Sequence, residues 1–183
     1  MNIIFLDFDG VITLHHQEIE DVERRIKILS DICHEYDCKI VIEAACKGAI
    51  NEETMEVEEE YINYIFSLFK KYNIDCIGRT PSVIRKYCDS SYTPIWKEDE
   101  IRLYLFRHPE ILHYCVIDDD DLLDMYDKSD LDKVREHLVK TCFYSKNKDE
   151  EGLLEIHKEQ VGKKLQLENE IRKFAQRRKV RKY

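Results

Sequence analysis

Apolar residues follow two rhythms along this chain. Short, nearly unbroken apolar runs occur at Ile3–Leu6, 39–42, Ile74–Ile77 and Tyr114–Ile117. Their length and β-branched content predict strands, buried on both faces where the run is continuous. Between them, apolar residues recur every three or four positions: Ile19, Val22, Ile26, Leu29, Ile32, Cys33 and Tyr36, then Val57, Tyr61, Tyr64, Ile65, Leu68, Phe69 and Tyr72. That spacing predicts two amphipathic helices. A third helix is predicted over residues 97–107, stopping ahead of Pro109. Residues 81–95 carry Pro81, Ser90-Ser91 and Pro94 and read as a loop or small irregular insertion. Farther on, the pattern predicts a helix near 130–136, a fifth strand over His137–Phe143, and mostly helix from Gly152 onward.

Strands alternating with helices of this length require crossover connections, hence a parallel α/β sheet with helices on both faces. Ligands of such sheets bind beyond the carboxyl ends of the strands. Two of the predicted strands end there in carboxylates: the first in Asp7-Phe-Asp9-Gly10, the fourth in Asp118–Asp121. Strand side chains alternate with period two, so Asp7 and Asp9 project to one side. A single acidic turn at a strand end is unremarkable as a solvated loop. Two such ends in one sheet call for something positive between them, and a divalent cation with oxygen ligands is the natural candidate. Gly10 lets the chain turn sharply away.

Composition narrows the field. The 183 residues form one domain, with room for an appendage, and 43% are hydrophobic. A net charge of −9 gives the body of the protein no general attraction for nucleic acid. Seven cysteines, an odd number without CxxC spacing, fit a reducing, cytoplasmic setting. No apolar run reaches membrane-spanning length. The sequence lacks GxxxxGK[ST] and GxGxxG, and the Asp118–Asp121 run lacks the glycine and spacing of a calcium loop. Metal-assisted phosphoryl transfer to a carboxylate is the chemistry that remains.

The stretch Phe5-Leu-Asp7-Phe-Asp9-Gly10-Val-Ile-Thr13 resembles motif I of the haloacid dehalogenase (HAD) superfamily of phosphatases. Gly78–Pro81, Lys97–Ile101, Val116–Asp120 and His137–Thr141 follow in the order seen in compact HAD domains related to RNA-repair proteins. The resemblance implies a Rossmann-like three-layer sandwich with a central parallel sheet and little or no cap. It implies a HAD-like catalytic domain over residues 1–150, with 151–183 a helical extension. By the same resemblance the activity is Mg2+-dependent hydrolysis of a phosphate monoester, a small molecule or a nucleic-acid end, through an aspartyl-phosphate. Asp7 is then the nucleophile and Asp9 the acid and base. Mg2+ is held by the Asp7 carboxylate, the Asp9 backbone carbonyl and Asp118, with Asp119 a further ligand or an acceptor behind it. Lys97 is the expected cation beside Asp7, with Arg79 the runner-up. Thr13 has no catalytic part in this scheme.

One position departs from the family pattern. Where its second motif places a Ser or Thr to bind a phosphoryl oxygen, this chain reads Glu43-Ala44-Ala45. Backbone N–H groups of residues 44–46, or Lys47, are the available substitutes. The departure motivates a second reading, a HAD-like binding module without turnover. A nucleic-acid end-processing phosphatase is a third, prompted by the seven Lys and Arg between Arg172 and Tyr183. That basic end suits RNA, a partner protein or a solvated helix terminus. His15-His16, Cys46 and Trp96 flank the proposed site without a chemical signature of their own and are read as surface, core and packing residues.

Overall fold

A computed structural model of the protein describes residues 1–14, 19–51, 53–57, 59–82, 84–86, 92–94, 97–122 and 134–172. The elements in chain order are β1 (Asn2–Leu6), α1 (Ile19–Tyr36), β2 (Cys38–Ile42), α2 (Glu60–Lys71), β3 (Cys76–Arg79), β4 (Ile84–Lys86), β5 (Tyr92–Pro94), α3 (Lys97–Arg107), β6 (His113–Asp118), β7 (Leu138–Lys140) and α4 (Ile156–Lys164). Short 3-10 turns cover Ala45–Ala49, Val134–His137 and Lys148–Glu150. The main sheet has five parallel strands in the order β3-β2-β1-β6-β7. The chain runs outward from β1 in one direction and then restarts at β6 on its other side. The crevice beyond the ends of β1 and β6 is therefore where such a sheet binds ligands.

Period-two alternation divides the strand residues between two cores. Ile4, Leu6, Ile40, Ile42, Cys115, Ile117 and Val139 share a buried cluster with α1, α2 and α4 residues such as Leu29, Ile65 and Val161. Ile3, Phe5, Val41, Tyr114 and Val116 face Ile101, Tyr104 and Leu105 of α3. On that second face Phe5 meets the rings of Tyr104 and Tyr114 edge-on, with centroids 5.7 and 5.8 Å apart. β1, β2 and β6 thus lie between helices on both sides, as their apolar runs predict, while the edge strands β3 and β7 are only partly buried. Residues 151–172 join the same structure: Leu153, Val161 and Leu165 pack into the first cluster, and Asn169 bonds the backbone of Ile111 and Leu112 at 3.1 Å each.

Several boundaries differ from the pattern, each for a local reason. The third strand is predicted over 74–77 but begins at Cys76. Asn73 takes a left-handed conformation (φ 54°), and the Ile74 N–H bonds the Phe69 carbonyl at 2.8 Å, so Ile74 caps α2 while its side chain fills the core. Within the predicted loop 81–95, β4 and β5 pair antiparallel. So short a local pairing needs no long apolar run, and nothing in the pattern marks it. The predicted strand 137–143 shrinks to three residues. His137 closes the preceding 3-10 turn, stacked on Tyr114 at 3.9 Å, and the Thr141 hydroxyl leaves the sheet to bond the Gly10 carbonyl at 2.8 Å. Of the helix predicted near 130–136, Val134–His137 forms the 3-10 turn; its earlier part lies outside the described residues.

Candidate functional site

Register and alternation together assemble the site. Leu6 pairs with Ile117, so the next residues, Asp7 and Asp118, lie side by side on neighbouring strands. Both continue the odd–even order that sends Phe5 and Val116 toward α3. The first residue of α3 is Lys97. Its ammonium donates to Asp7 Oδ2 and, at 2.9 Å, to Asp118 Oδ2. It also lies 3.7 Å from exposed Asp120. Asp7 Oδ1 accepts the Phe8 N–H at 2.7 Å, and Asp118 Oδ1 accepts the Asp120 N–H at 2.9 Å.

One lysine does not balance these acids. Burial raises the pKa of Asp7, Asp118 raises it further, and Lys97 opposes both. Asp118 is likewise raised by burial against the pull of Lys97. Asp119, half-buried, is raised by burial and then by its aspartate neighbours. Burial lowers the Lys97 pKa, but Asp7 and Asp118 outweigh it and the ammonium stays charged far above neutrality. Asp7, Asp118 and Asp119 each bring a carboxylate oxygen to within 4.8 Å of the others. Three hard oxygen donors with surplus negative charge fit Mg2+ chemically.

Asp9 takes a different place. Its carboxylate is not part of that group; Asp9 is exposed, and its Oδ1 accepts a hydrogen bond from Thr13 Oγ1 at 2.8 Å. The turn that achieves this folds back on one carbonyl: Phe8 O accepts from the N–H groups of Val11, Ile12 and Thr13, while the Gly10 N–H bonds Thr13 O at 2.8 Å. Gly10 is required twice over. Its φ is +73°, and a Cβ there would lie 2.3 Å from Asp119 Cγ. Asp119 thus packs directly on the backbone of the first acidic turn.

The end of β2 holds a buried charge network. Glu43 continues the α3-facing side of Val41 and is wholly buried. Lys47 Nζ donates to Glu43 at 2.7 Å and also to Glu100, one helical turn beyond Lys97; the Thr80 hydroxyl donates to the other Glu43 oxygen. Burial nevertheless pushes the Glu43 pKa up to about 7, with Lys47 and Thr80 working against it. The glutamate at the family's hydroxyl position is therefore turned into the protein, and Lys47 is engaged there with it. Arg79 bonds the carbonyls of Ile50 and Thr80 at 2.7 and 3.0 Å. Of the two candidate cations, it is Lys97 that contacts the acids. Cys46 is half-buried, its thiol pushed up to about 11 by burial and then by Asp9 and Asp7. His15-His16, Trp96 and residues 173–183 lie outside the described residues. Among those described, no helix is long and apolar enough to cross a membrane.

The sequence pattern did not point to the Thr13–Asp9 hydrogen bond or to the Glu43–Lys47–Thr80–Glu100 network. The four-residue spacing of Glu43 and Lys47 was a weak signal for one ion pair. Nothing local marks Glu100 or Thr80, which the fold alone brings near. Compared with known families, residues 3–146 match the model described as "HAD domain in Swiss Army Knife RNA repair proteins". No curated protein and no solved structure matches the chain.

Proposed function

We propose, from the premise that this chain belongs to the family of HAD domains found in Swiss Army Knife RNA repair proteins, that it is a phosphohydrolase acting on a phosphate monoester through Asp7. The observation that supports this most directly is the Lys97 ammonium shared between Asp7 and Asp118 at adjoining strand ends. In the first step Asp7 attacks phosphorus, the bond to the ester oxygen breaks, and Asp9 gives that oxygen a proton. In the second, Asp9 takes a proton from water, the water oxygen bonds phosphorus, and the bond to Asp7 breaks, releasing inorganic phosphate and restoring the Asp7 carboxylate and the protonated Asp9. Lys97 offsets charge on Asp7 and on the phosphoryl oxygens; Thr13 holds the Asp9 carboxylate. Asp7, Asp118 and Asp119, with the Asp9 carbonyl, would hold Mg2+, which when bound supplies neutralisation between an anionic phosphate and these acids.

Residues 1–150 are assigned to the catalytic domain, and 151–183 to a helical segment attached to it. The test is release of inorganic phosphate from p-nitrophenyl phosphate with Mg2+ present, in wild type and Asp7→Asn. Turnover by wild type that disappears in the variant is expected; turnover that survives removes Asp7 from the reaction.

Glu43 favours a second reading. With a buried carboxyl where the family offers a hydroxyl, the chain is a HAD-like module that binds Mg2+ and a phosphorylated partner, RNA ends included, without turnover. Mg2+ binding with no phosphate released from any ester selects this reading, and a beryllofluoride adduct at Asp7 counts against it.

A further inference from the structure

Asp7, Asp118 and Asp119 bring their oxygens together from two separate turns, one following β1 and one following β6. Thr141 bonds the backbone of both. Its N–H donates to Asp118 O at 3.0 Å, and its hydroxyl donates to Gly10 O at 2.8 Å. We propose that Thr141 is a positioning residue for the metal: by fixing the gap between the two turns it biases the site toward Mg2+ and against the larger Ca2+. This rests on the metal-holding part of the reading above and adds what sets its selectivity.

The place of Thr141 follows from the sheet. β7 pairs with β6 as far as Asp118 and Lys140, so the Thr141 N–H extends that ladder by one bond past the last strand residue. The side chain is buried, and its hydroxyl crosses to the first turn. Farther on, the chain returns to that turn. The Leu153 N–H bonds Val11 O at 2.8 Å, and the Gly152 N–H bonds Cys142 O at 2.8 Å. Residues 141–153 thus hold two successive carbonyls of the first turn, Gly10 and Val11. The fit is close: Gly152 has a φ of +71°, and a Cβ there would lie 2.5 Å from Arg25 Nε and 3.0 Å from Val11 O.

The gap is limited in both directions. Asp119 lies directly on the Gly10 backbone, so the turns cannot come closer. Thr141 keeps them from moving apart. Mg2+ requires a near-ideal octahedron of oxygens at about 2.0–2.1 Å, whereas Ca2+ takes more ligands at about 2.3–2.6 Å in flexible geometry. Choice between the two ions comes from cavity size, ligand number and rigidity. Ligands on opposite sides of Ca2+ stand about 0.5 Å or more farther apart than around Mg2+, and widening the gap by that much strains the Thr141 bonds. Without the hydroxyl, the carbonyl of buried Gly10 loses this donor. Buried carbonyls are rarely left unpaired, so the first turn shifts away from the second to find a new partner.

Thr141→Val removes the hydroxyl and keeps the shape; Thr141→Ser keeps the hydroxyl. Mg2+ and Ca2+ are titrated separately into the metal-free proteins by calorimetry, with thermal melting to verify folding. The readout is the ratio of the two dissociation constants, which a general loss of stability would leave alone. In Thr141→Val the ratio is expected to move toward Ca2+ by about fivefold or more, the scale of one hydrogen bond, and Thr141→Ser should recover most of the wild-type value. An unchanged ratio in Thr141→Val, even with both ions bound more weakly, overturns the proposal. So does a Thr141→Ser ratio equal to that of Thr141→Val, or a wild type that binds neither ion. Should Thr141→Val not fold, amide exchange in wild type supplies the test. The N–H groups of Thr141 and Leu153 should exchange more slowly at saturating Mg2+ than at saturating Ca2+, and equal protection overturns the proposal. Phosphate release is measured alongside. A shifted ratio without turnover of any ester removes the phosphohydrolase reading and leaves the role of Thr141 standing. Turnover that depends on Asp7, with an unshifted ratio, does the reverse.

Discussion

Thr13→Val deletes a hydroxyl from a buried side chain and keeps its shape. Phe8 O, one of the two acceptors of that hydroxyl, retains the N–H groups of Ile12 and Thr13 at 2.8 Å each, so it stays satisfied. The loss falls on Asp9, whose Oδ1 gives up its 2.8 Å hydrogen bond. A hydrogen bond to a charged group contributes about 1.5–3 kcal/mol. If it serves to hold Asp9 at the ester oxygen, losing it slows proton transfer by about 10- to 150-fold. That penalty applies only where the leaving group needs the proton. An alkyl phosphate needs it; p-nitrophenyl phosphate, whose phenolate is stable unprotonated, does not and should change by about twofold at most. The assay is inorganic phosphate release from both esters at saturating substrate, with Thr13→Ser as the variant that keeps the hydroxyl and should recover most of the rate. Equal losses on the two esters would show that Thr13→Val damages the site generally. No loss on the alkyl ester would show that Asp9 is not the acid, or needs no support from Thr13.

Three further outcomes follow from the charges. Removing one of two adjacent buried acids should raise the metal-free melting temperature of Asp7→Asn at neutral pH while abolishing phosphate release, since burial and Asp118 both disfavour the ionised form; an unchanged or lower melting temperature would contradict the charge imbalance. For the same reason Mg2+ at about 100 times its dissociation constant should stabilise wild type by about 2.7 kcal/mol, reversibly with chelator and much less in Asp118→Asn, as read by thermal melting. Glu43 links stability to pH: its folded pKa of about 7 lies above the ordinary 4.5, so the folded state binds the extra proton. Stability should be full below about pH 4.5 and fall as pH rises toward 7, by about 3 kcal/mol at most, and urea titrations of Glu43→Gln should show this segment of the profile flattened.

The amino-acid sequence alone determined the layered sheet and the two acidic strand ends. Burial on both faces demands unbroken apolar runs such as Ile3–Leu6 and Tyr114–Ile117, and amphipathic helices demand the spacing seen from Ile19 to Tyr36. Both are local periodicities that a chain carries wherever it folds. Asp7 and Asp118 could be placed at strand ends because each closes such a run. Tertiary structure alone decided what those acids meet. The pairing of Leu6 with Ile117 sets them abreast, and the face shared with Phe5 and Val116 turns them toward Lys97. Glu43 shows the limit most clearly: in sequence it is an acid at a position meant for a hydroxyl, and its pairing with Lys47 and hydrogen bond from Thr80 depend on β3 and the 3-10 turn closing around it. Contacts between residues far apart in the chain leave no periodic trace, because their geometry comes from register and helix docking and not from spacing.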